Sequence, residues 1–249
     1  CLSLGLTGIV SAAADDNEIW LQQSGDNLIL NFTQKGYGNK VGGDDFSGTS
    51  IDMILTDPPY GTTACKWDLI IPLEPMWEQL KRVIKPSGAI VMTATQPFSS
   101  LLGASNIKML RYSWAWKKPH TGQLNAKRMP LKNIEDVLVF YSKQPIYNQQ
   151  RGEGESYTII RKNYKGSECH GKQRDHDTIN KGGRCPTQLI EFSNRKGKSV
   201  HPTQKPVALM EYLIKTYTNE GETVLDFTMG SGTTGVAAKN LNRKFIGIE

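Results

Sequence analysis

Residues 51–60, IDMILTDPPY, combine a strand pattern with side chains that could do chemistry. The near-continuous apolar run over 51–55 is typical of a strand in a parallel sheet that is covered on both faces, and the first proline ends it abruptly. In open α/β sheets, ligands bind at the carboxyl ends of the strands, so a carboxylate and an aromatic ring held there are placed for catalysis. The turn that follows the strand consists of Asp57, Pro58, Pro59 and Tyr60.

A second candidate site lies near the C-terminal end, in the segment VLDFTMGSGTTGVAAKNLNRKFIGIE. Its order of strand, glycine turn, helix, strand and acidic residue predicts a nucleotide-type βαβ unit. Gly230 and Gly232 allow a ligand to approach the backbone closely, and the following helix presents its free amides there. Glu249 is placed to accept hydrogen bonds from a ribose diol. Taken alone, the glycine pattern also fits plain helix and strand packing or a dinucleotide site, although it is not GxGxxG.

The elements that must position these turns alternate along the chain, which predicts an α/β fold built from βαβ units with right-handed crossovers. The region from about 146 to 200 has little periodicity and is expected to be rich in loops. Apolar spacing predicts helices over 73–84, around 99–110, 206–217 and 233–241. The predicted strands are 51–56, 89–93, 112–116, 137–142, 223–227 and 245–248.

The basic charge of the chain is concentrated in one region. The 249 residues carry a formal net charge of +6. From Lys117 to Lys205 there are 18 Lys and Arg against 8 Asp and Glu, whereas the remainder holds 12 against 16. This asymmetry favours a nucleic-acid-facing segment on a neutral or acidic enzyme body, with a solvated basic face as the alternative. The composition excludes a disordered chain, and no apolar run is long enough to predict a membrane span.

Residues 1–50 differ in composition from the rest. Residues 2–14 resemble the end of a secretory signal peptide without its positively charged start, which hints at export. The stretches around Gln23 and Gln34, which are 11 residues apart, are similar to curlin-type repeats, although two copies are fewer than a stable solenoid needs. The alternative is a glycine-rich, partly ordered leader with one hairpin.

The cysteines predict neither a disulfide framework nor a metal site. Four cysteines are present at irregular spacing. A zinc site would have to use Cys169, His170, His176 and Cys185, but no CxxC pair is present and the spacing matches no common zinc site. We therefore expect no bound metal.

Taken together, the DPPY turn and the glycine turn resemble the S-adenosylmethionine-dependent amino methyltransferases of DNA. HPTQKP at residues 201–206 is a third element typical of that family. The order DPPY, basic region, HPTQKP and glycine turn is that of the family's β group, and the resemblance runs from about Ser50 to Glu249. It implies a doubly wound, mostly parallel Rossmann-like sheet. The implied organisation is an atypical leader over 1–50, a catalytic half over 51–145, a basic target-recognition region over 146–200 and a cofactor-binding half over 201–249.

The resemblance also implies how the DPPY turn acts. The exocyclic amino nitrogen of adenine or cytosine is a poor nucleophile because its lone pair is delocalised into the ring. The Asp57 carboxylate and the Pro58 carbonyl would accept hydrogen bonds from this amino group, while Pro58 and Pro59 fix the backbone. Tyr60 would stack on the target base, which must leave the duplex for the reaction.

The same resemblance assigns a cofactor pocket and a DNA-binding surface. His201 is either a helix cap or a ligand contact. Trp114, Trp116 and Lys117 resemble the element beside the target-base pocket, with core packing as the alternative for Trp114. The implied S-adenosylmethionine contacts are Asp226, Phe227, Gly230, Gly232, Glu249, Thr203, Lys205 and Pro206. The implied DNA contacts are Lys117, Arg128, Arg161, Arg174, Arg184 and Lys196.

Two family elements are not recognisable in this sequence. A strand ending in Gly-Asp and a short helix usually precede DPPY, whereas residues 39–50 are rich in glycine, and family members usually continue beyond the acidic residue at 249. We therefore expect the methyltransferase portion to be truncated at both ends. The predicted function is N6-adenine methylation of DNA in the cytoplasm, with a restriction endonuclease as a partner. N4-cytosine methylation and an inactive DNA-binding remnant are the alternatives.

Overall fold

A computed structural model describes residues 50–63, 65, 68–118, 126–160, 177–193 and 204–248, together with the backbone of 8–9, 17–24 and 27–34. The chain divides into two compact units, one formed by Cys1–Asn148 with Gln188–Glu249 and the other by Gln149–Thr187. Several residues selected above lie outside the described parts: Arg161, Cys169, His170, Arg174, His176, Lys196, His201, Thr203 and Glu249.

The larger unit contains a seven-stranded sheet. Its strands are β4 (Ile51–Thr56), β5 (Ile84–Ala94), β6 (Leu110–Lys117), β7 (Ile134–Phe140), β10 (Leu189–Glu191), β11 (Thr223–Asp226) and β12 (Lys244–Gly247). The strand order is β10-β6-β7-β5-β4-β11-β12. Only β7 runs against its neighbours, so the other six strands all end at the same edge of the sheet.

Within the described residues, four helices cover the two faces of this sheet: α1 (Leu73–Val83), α2 (Phe98–Ser105), α3 (Val207–Tyr217) and α4 (Thr233–Asn240). Side chains of α1 and α2 belong to one buried cluster, and those of α3 and α4 to the other. Successive strand residues alternate between the clusters, as the pleat requires. The β7 strand shows this, because Leu138 and Phe140 pack on the first side while Val137 and Val139 pack on the second. The predicted doubly wound, mostly parallel fold is confirmed.

Three of the predicted element boundaries are wrong. The strand predicted over 89–93 begins at Ile84, because a register shift opposite β4 lets the chain pass through the proline and glycine without leaving the sheet. A Cβ on Gly88 would lie 2.8 Å from the Asp52 carbonyl oxygen, so the close approach needs glycine. The helix predicted around 99–110 ends at Ser105, because Asn106 leaves helical backbone angles and β6 begins at Leu110. The strand predicted over 137–142 is Ile134–Phe140.

The remaining described strands are short or lie near the N-terminus. In the smaller unit, β8 (Tyr157–Ile160) pairs antiparallel with β9 (Asp177–Asn180). Near the N-terminus, β1 (Gly8–Ile9), β2 (Asn17–Ser24) and β3 (Asn27–Gln34) form a separate antiparallel sheet. Among the described residues, no helix is long and apolar enough to cross a membrane.

Candidate active site

The DPPY turn begins where β4 ends at the edge shared by the parallel strands. Asp57 directly follows Thr56, the last residue of β4, and its carboxylate receives three donors. The Tyr60 hydroxyl donates to Asp57 Oδ1 at 2.6 Å, and the Thr93 hydroxyl donates to the same oxygen. The Lys205 ammonium donates to Asp57 Oδ2 at 2.7 Å. Both carboxylate oxygens are therefore held by side chains from other segments, which fixes the orientation of Asp57.

The Tyr60 ring lies beside this carboxylate and is partly buried. It stacks on Phe98 with 5.5 Å between the ring centroids and an angle of 27° between the planes. The Lys205 Nζ atom lies over the ring, 5.5 Å from its centroid. Burial, followed by the negative charges of Asp57 and Glu135, raises the pKa of the Tyr60 hydroxyl well above its usual value. Tyr60 is therefore a neutral hydrogen-bond donor throughout the physiological pH range.

The loop after DPPY is shaped by one buried carboxylate. Asp68 accepts hydrogen bonds from the backbone amides of Tyr60, Gly61, Thr62 and Thr63 at 2.7 to 2.9 Å and from the Thr63 hydroxyl at 2.7 Å. Burial alone would raise the pKa of Asp68, but the Thr63 side chain and the loop amides outweigh it and lower this pKa below its usual value. An ionised Asp68 thus holds the backbone that presents Tyr60.

Lys205 joins Asp57 to a second carboxylate that the sequence did not reveal. Its Nζ atom lies 3.7 Å from Glu135 Oε2, and the Lys118 ammonium donates to Glu135 Oε1. Glu135 is the second residue of β7. Because β7 is antiparallel, its N-terminal end lies at the edge where β4 ends, and this brings Glu135 to the site.

The side chain of Lys205 is only 10% exposed. Burial opposes its positive charge, but the charges of Asp57 and Glu135 and the hydrogen bond to Asp57 outweigh burial and raise the pKa of Lys205. The lysine is therefore a buried cation whose charge depends on two neighbouring carboxylates.

Another carboxylate at this edge belongs to Asp226, the last residue of the neighbouring strand β11. It is 3% exposed and accepts a hydrogen bond from the Thr56 hydroxyl at 2.7 Å and from the Thr228 amide at 3.2 Å. Burial raises the pKa of Asp226 to about 6, against the hydrogen bonds from Thr234, Thr56 and the Thr228 amide, which lower it. Desolvation of the carboxylate dominates at this position.

The glycine turn between β11 and α4 keeps a surface without side chains. Gly230 and Gly232 have φ angles of +49° and +74°, a conformation that favours glycine. A Cβ built on either would meet no atom of the described residues within 4 Å, so both leave open space there. Gly232 is the N-cap of α4, and no side chain caps that helix end. This turn is suited to binding a ligand with hydrogen-bond acceptors.

The DPPY turn and the glycine turn meet through Thr56. Because β4 and β11 are adjacent parallel strands, they end side by side. The Thr56 hydroxyl contacts both Asp226 Oδ1 at 2.7 Å and the Thr228 hydroxyl at 2.6 Å, and Thr56 is the residue before Asp57. Thr56 and Asp226 are 170 residues apart in the chain, yet their hydrogen bond places the two motifs side by side.

Two of the residues expected to contact the cofactor are buried within the fold. Phe227 is 5% exposed and packs in the same buried cluster as Leu225 and Ile248. Pro206 is buried and is the N-cap residue of α3. Lys205, which the resemblance places beside the cofactor, contacts Asp57. Trp114 and Trp116 are both buried in the core.

The described members of the expected DNA surface differ in availability. Arg128 is exposed. Lys117 is exposed and pairs with Glu191 at 2.7 Å. Arg184 donates to the Glu155 carbonyl at 2.6 Å and to Asn180 at 3.1 Å, and its guanidinium lies 5.0 Å from the centroid of the Tyr157 ring. Arg184 therefore stabilises the smaller unit.

Sequence analysis missed several residues of this site: Thr56, Asp68, Thr93, Lys118, Glu135 and Thr228. All of them lie in or beside strands or loops at the same sheet edge, and only Thr56 and Thr228 lie in the segments singled out from the sequence. Position in the sequence could have indicated two of them. Thr56 is the last residue of β4 and Thr93 the last but one of β5, and a polar residue at the end of a buried apolar strand is unusual.

Comparison with known proteins agrees with this geometry. A model of the N6/N4 methyltransferase family, described as DNA methylase, matches residues 51–249. The type II methyltransferase M.HpaI of Haemophilus parainfluenzae is 32% identical over 219 residues, covering 80% of this chain and 64% of that protein. The type II methyltransferase M.BglII of Bacillus subtilis is 29% identical over 231 residues, covering 82% and 61%. The chain thus spans less than two thirds of the length of these relatives.

A solved structure is also similar. The crystal structure of M1.HpyAVI in complex with SAM superposes with a TM-score of 0.52 at 28% identity, covering 80% of this chain and 83% of that one. With the family match over residues 51–249, this confirms the resemblance drawn from the three motifs. The chain belongs to the N6/N4 DNA methylase family.

Proposed function

We propose that this chain transfers a methyl group from S-adenosylmethionine to the exocyclic N6 nitrogen of adenine in DNA. The observation that carries the proposal is that Thr56 donates a hydrogen bond to Asp226, before the glycine turn, while the next residue, Asp57, begins the DPPY turn. A base held at Asp57 and a ligand held at the glycine turn would be neighbours at one edge of the sheet.

Asp57 and Pro58 would hold the amino group of the target base. Within the described residues, no hydrogen bond to the Pro58 carbonyl is found, so this oxygen is a ready acceptor. Accepting two amino protons would localise the nitrogen lone pair toward the methyl donor, because both acceptors are fixed before the base arrives. Asp57 orients the nitrogen in this scheme and need not act as a strong base.

Tyr60 would stack on the flipped base. Its backbone is held by Asp68 and its ring by Phe98, so the aromatic surface is ordered in advance. Stacking of a base on an aromatic side chain is worth about 1–3 kcal/mol, which helps to offset the cost of taking the base out of the duplex.

The glycine turn has the surface that S-adenosylmethionine needs. The open space at Gly230 and Gly232 and the uncapped start of α4 fit a ligand that approaches the backbone, so the residues present fit the cofactor. Asp226, Phe227 and Pro206 would form the surrounding wall, with Thr203 and Glu249 completing the contacts that the family resemblance implies. Bound S-adenosylmethionine would supply an electrophilic methyl group to the amino nitrogen held at Asp57.

DNA binding would use the basic region between Lys117 and Lys205. Contacts to phosphates supply affinity that falls with salt and carries no sequence information. Arg128 and Lys117 are the exposed described members of this set, and Arg161, Arg174 and Lys196 complete it with Arg184 in a supporting role. The relatives are described as type II methyltransferases, which supports, as the partner, a restriction endonuclease that recognises the same DNA sequence.

Aspartate at the first position of DPPY favours adenine, because serine is commoner there in the cytosine-specific members of this family. The family model spans N6 and N4 methylation, so N4-cytosine methylation is the second candidate. The engagement of Asp57 by three donors favours a third, a DNA-binding protein without catalysis.

The test is a transfer assay with labelled S-adenosylmethionine and DNA from a host without DNA methylation. We expect label in N6-methyladenine after digestion and mass spectrometry, loss of labelling in Asp57→Ala, and normal labelling in Glu78→Gln, which changes an exposed residue of α1. Label in N4-methylcytosine would support the second candidate. Salt-sensitive DNA binding without binding of S-adenosylmethionine, measured by calorimetry, would contradict the proposal and favour the third.

A further inference from the structure

Both oxygens of the Asp57 carboxylate accept hydrogen bonds before any substrate binds. Tyr60 and Thr93 occupy Oδ1, and the Lys205 ammonium occupies Oδ2 at 2.7 Å. A carboxylate oxygen has two acceptor positions, so an amino group that takes the position of the ammonium on Oδ2 must displace it. The Lys205 side chain is only 10% exposed, so losing its contact with Asp57 would leave a buried, unpaired cation at a large cost in free energy. A second acceptor within reach of the ammonium would remove most of that cost.

That second acceptor is present. Glu135 Oε2 lies 3.7 Å from Lys205 Nζ, is buried, and has no hydrogen-bond partner among the described residues. The other carboxylate oxygen of Glu135 is bound by Lys118, which anchors the side chain. A shift of the ammonium by about 1 Å would bring it within hydrogen-bond distance of Glu135 Oε2.

We propose that Lys205 has two positions, one on Asp57 and one on Glu135, and that Glu135 is the positioning residue that holds the ammonium when Asp57 accepts the amino group of the target base. The part concerning the base rests on the proposed function. Lys205 thereby keeps Asp57 oriented in the free protein, and Glu135 allows the same carboxylate to be released without leaving a buried cation unpaired.

The pairing of charges explains why moving the Lys205 ammonium from Asp57 to Glu135 costs little free energy. Asp57 and Glu135 carry two negative charges, and Lys205 and Lys118 carry two positive charges, so the cluster is neutral in either position of the lysine. Tyr60 and Thr93 remain as donors to Asp57 Oδ1 when the ammonium moves, so the carboxylate keeps its orientation. Only one contact is exchanged for another.

The first experiment is a double-mutant cycle in thermal unfolding of the whole chain, with Asp57→Asn, Glu135→Gln and both together. Each single change leaves Lys205 one carboxylate, so we expect the melting temperature of the double variant to fall by more than the two single shifts combined. Adding Lys205→Met should restore at least half of the excess loss, and Glu78→Gln should leave the melting temperature unchanged. Additive shifts, or no restoration by Lys205→Met, would overturn the proposal.

The second experiment is a crystal structure of Asp57→Asn. We expect Lys205 Nζ to have moved to about 2.7–3.2 Å from Glu135 Oε2, since the remaining carboxylate is the stronger acceptor. An ammonium that stays on the amide oxygen of residue 57, with the distance to Glu135 unchanged, would contradict the two positions.

The third experiment separates this inference from the proposed function. If the wild-type chain methylates DNA, Glu135→Gln should lower kcat/KM for DNA about tenfold or more, which is the loss expected for one charged hydrogen bond, and leave the Kd for S-adenosylmethionine unchanged. An unchanged kcat/KM would refute the role of Glu135 in releasing Asp57. If the wild-type chain methylates nothing, the proposed function fails, while the cycle and the crystal structure still decide whether Lys205 has two positions.

Discussion

Asp226 should destabilise the protein at neutral pH, so replacing it with asparagine should stabilise the fold. The carboxylate is buried at the end of β11, and burial raises its pKa to about 6. Asparagine has the same shape as a protonated aspartate and can still accept hydrogen bonds from Thr56 and the Thr228 amide. The Asp226→Asn variant therefore removes a buried charge with little change in packing.

The magnitude follows from linkage between protonation and folding. A folded pKa of about 6 against an ordinary value of 3.8 corresponds to about 3 kcal/mol of lost stability when the group ionises. Because the folded pKa is the higher one, the favourable contribution is complete below about pH 4 and is lost as the pH rises through about 6. The variant should match the wild type at pH 4 and exceed it by up to about 3 kcal/mol at pH 8.

The assay is urea unfolding of both proteins at each pH unit from 4 to 8, followed by circular dichroism. Ionisable groups that do not interact with Asp226 are the same in the two proteins, so the pH-dependent difference in free energy of unfolding reports mainly on Asp226. Glu78→Gln, an exposed change on α1, should give no pH-dependent difference. The reasoning is refuted if the wild type is more stable than Asp226→Asn at pH 8, or if the difference between them is the same at every pH.

Asp68→Asn should destabilise the fold, because the pKa of Asp68 is lowered in the folded protein. We expect the free energy of unfolding in urea to fall by about 3 kcal/mol at pH 7 and by less as the pH drops below 4, and a difference that is constant with pH would contradict this. Gly235→Ala should lower the free energy of unfolding by about 1–3 kcal/mol, because its Cβ would lie 2.7 Å from the Phe245 ring. Gly152→Ala, whose Cβ would meet no described atom within 4 Å, should lower it by less than about 0.5 kcal/mol. In the transfer assay, Tyr60→Phe should lower kcat/KM for DNA about tenfold, because it removes one donor to Asp57 but keeps the stacking ring. Tyr60→Ala should lower it by a further factor of about 10–100 by removing the stacking surface as well; equal losses would argue against stacking.

Local sequence was a good guide where a short segment carries its own structural reason. The run at 51–56 could be assigned as β4 because an apolar stretch ended by proline has few other solutions, and α1 and α3 followed from helical spacing. The glycine turn could be assigned because φ angles of +49° and +74° exclude most side chains. These features need no knowledge of distant residues.

Element boundaries were less predictable because neighbours in the sheet override local signals. Pro86 and Gly88 read as a stop, yet β5 runs through them opposite the start of β4. The helix expected to reach residue 110 ends at Ser105, because Leu110 pairs with Phe140 in the sheet. Pairing with a strand far away in the chain decided both cases.

The sequence by itself determined the two turns and the family, because DPPY, HPTQKP and the glycine turn are short segments whose residue types are fixed by local backbone and chemistry. Only the tertiary structure decided what surrounds Asp57. Glu135 lies 78 residues along the chain and reaches the site because β7 is antiparallel, and Lys205 reaches it from 148 residues away. Charge pairing at a buried site depends on distances of a few ångströms, and those distances are set by the order and direction of the strands.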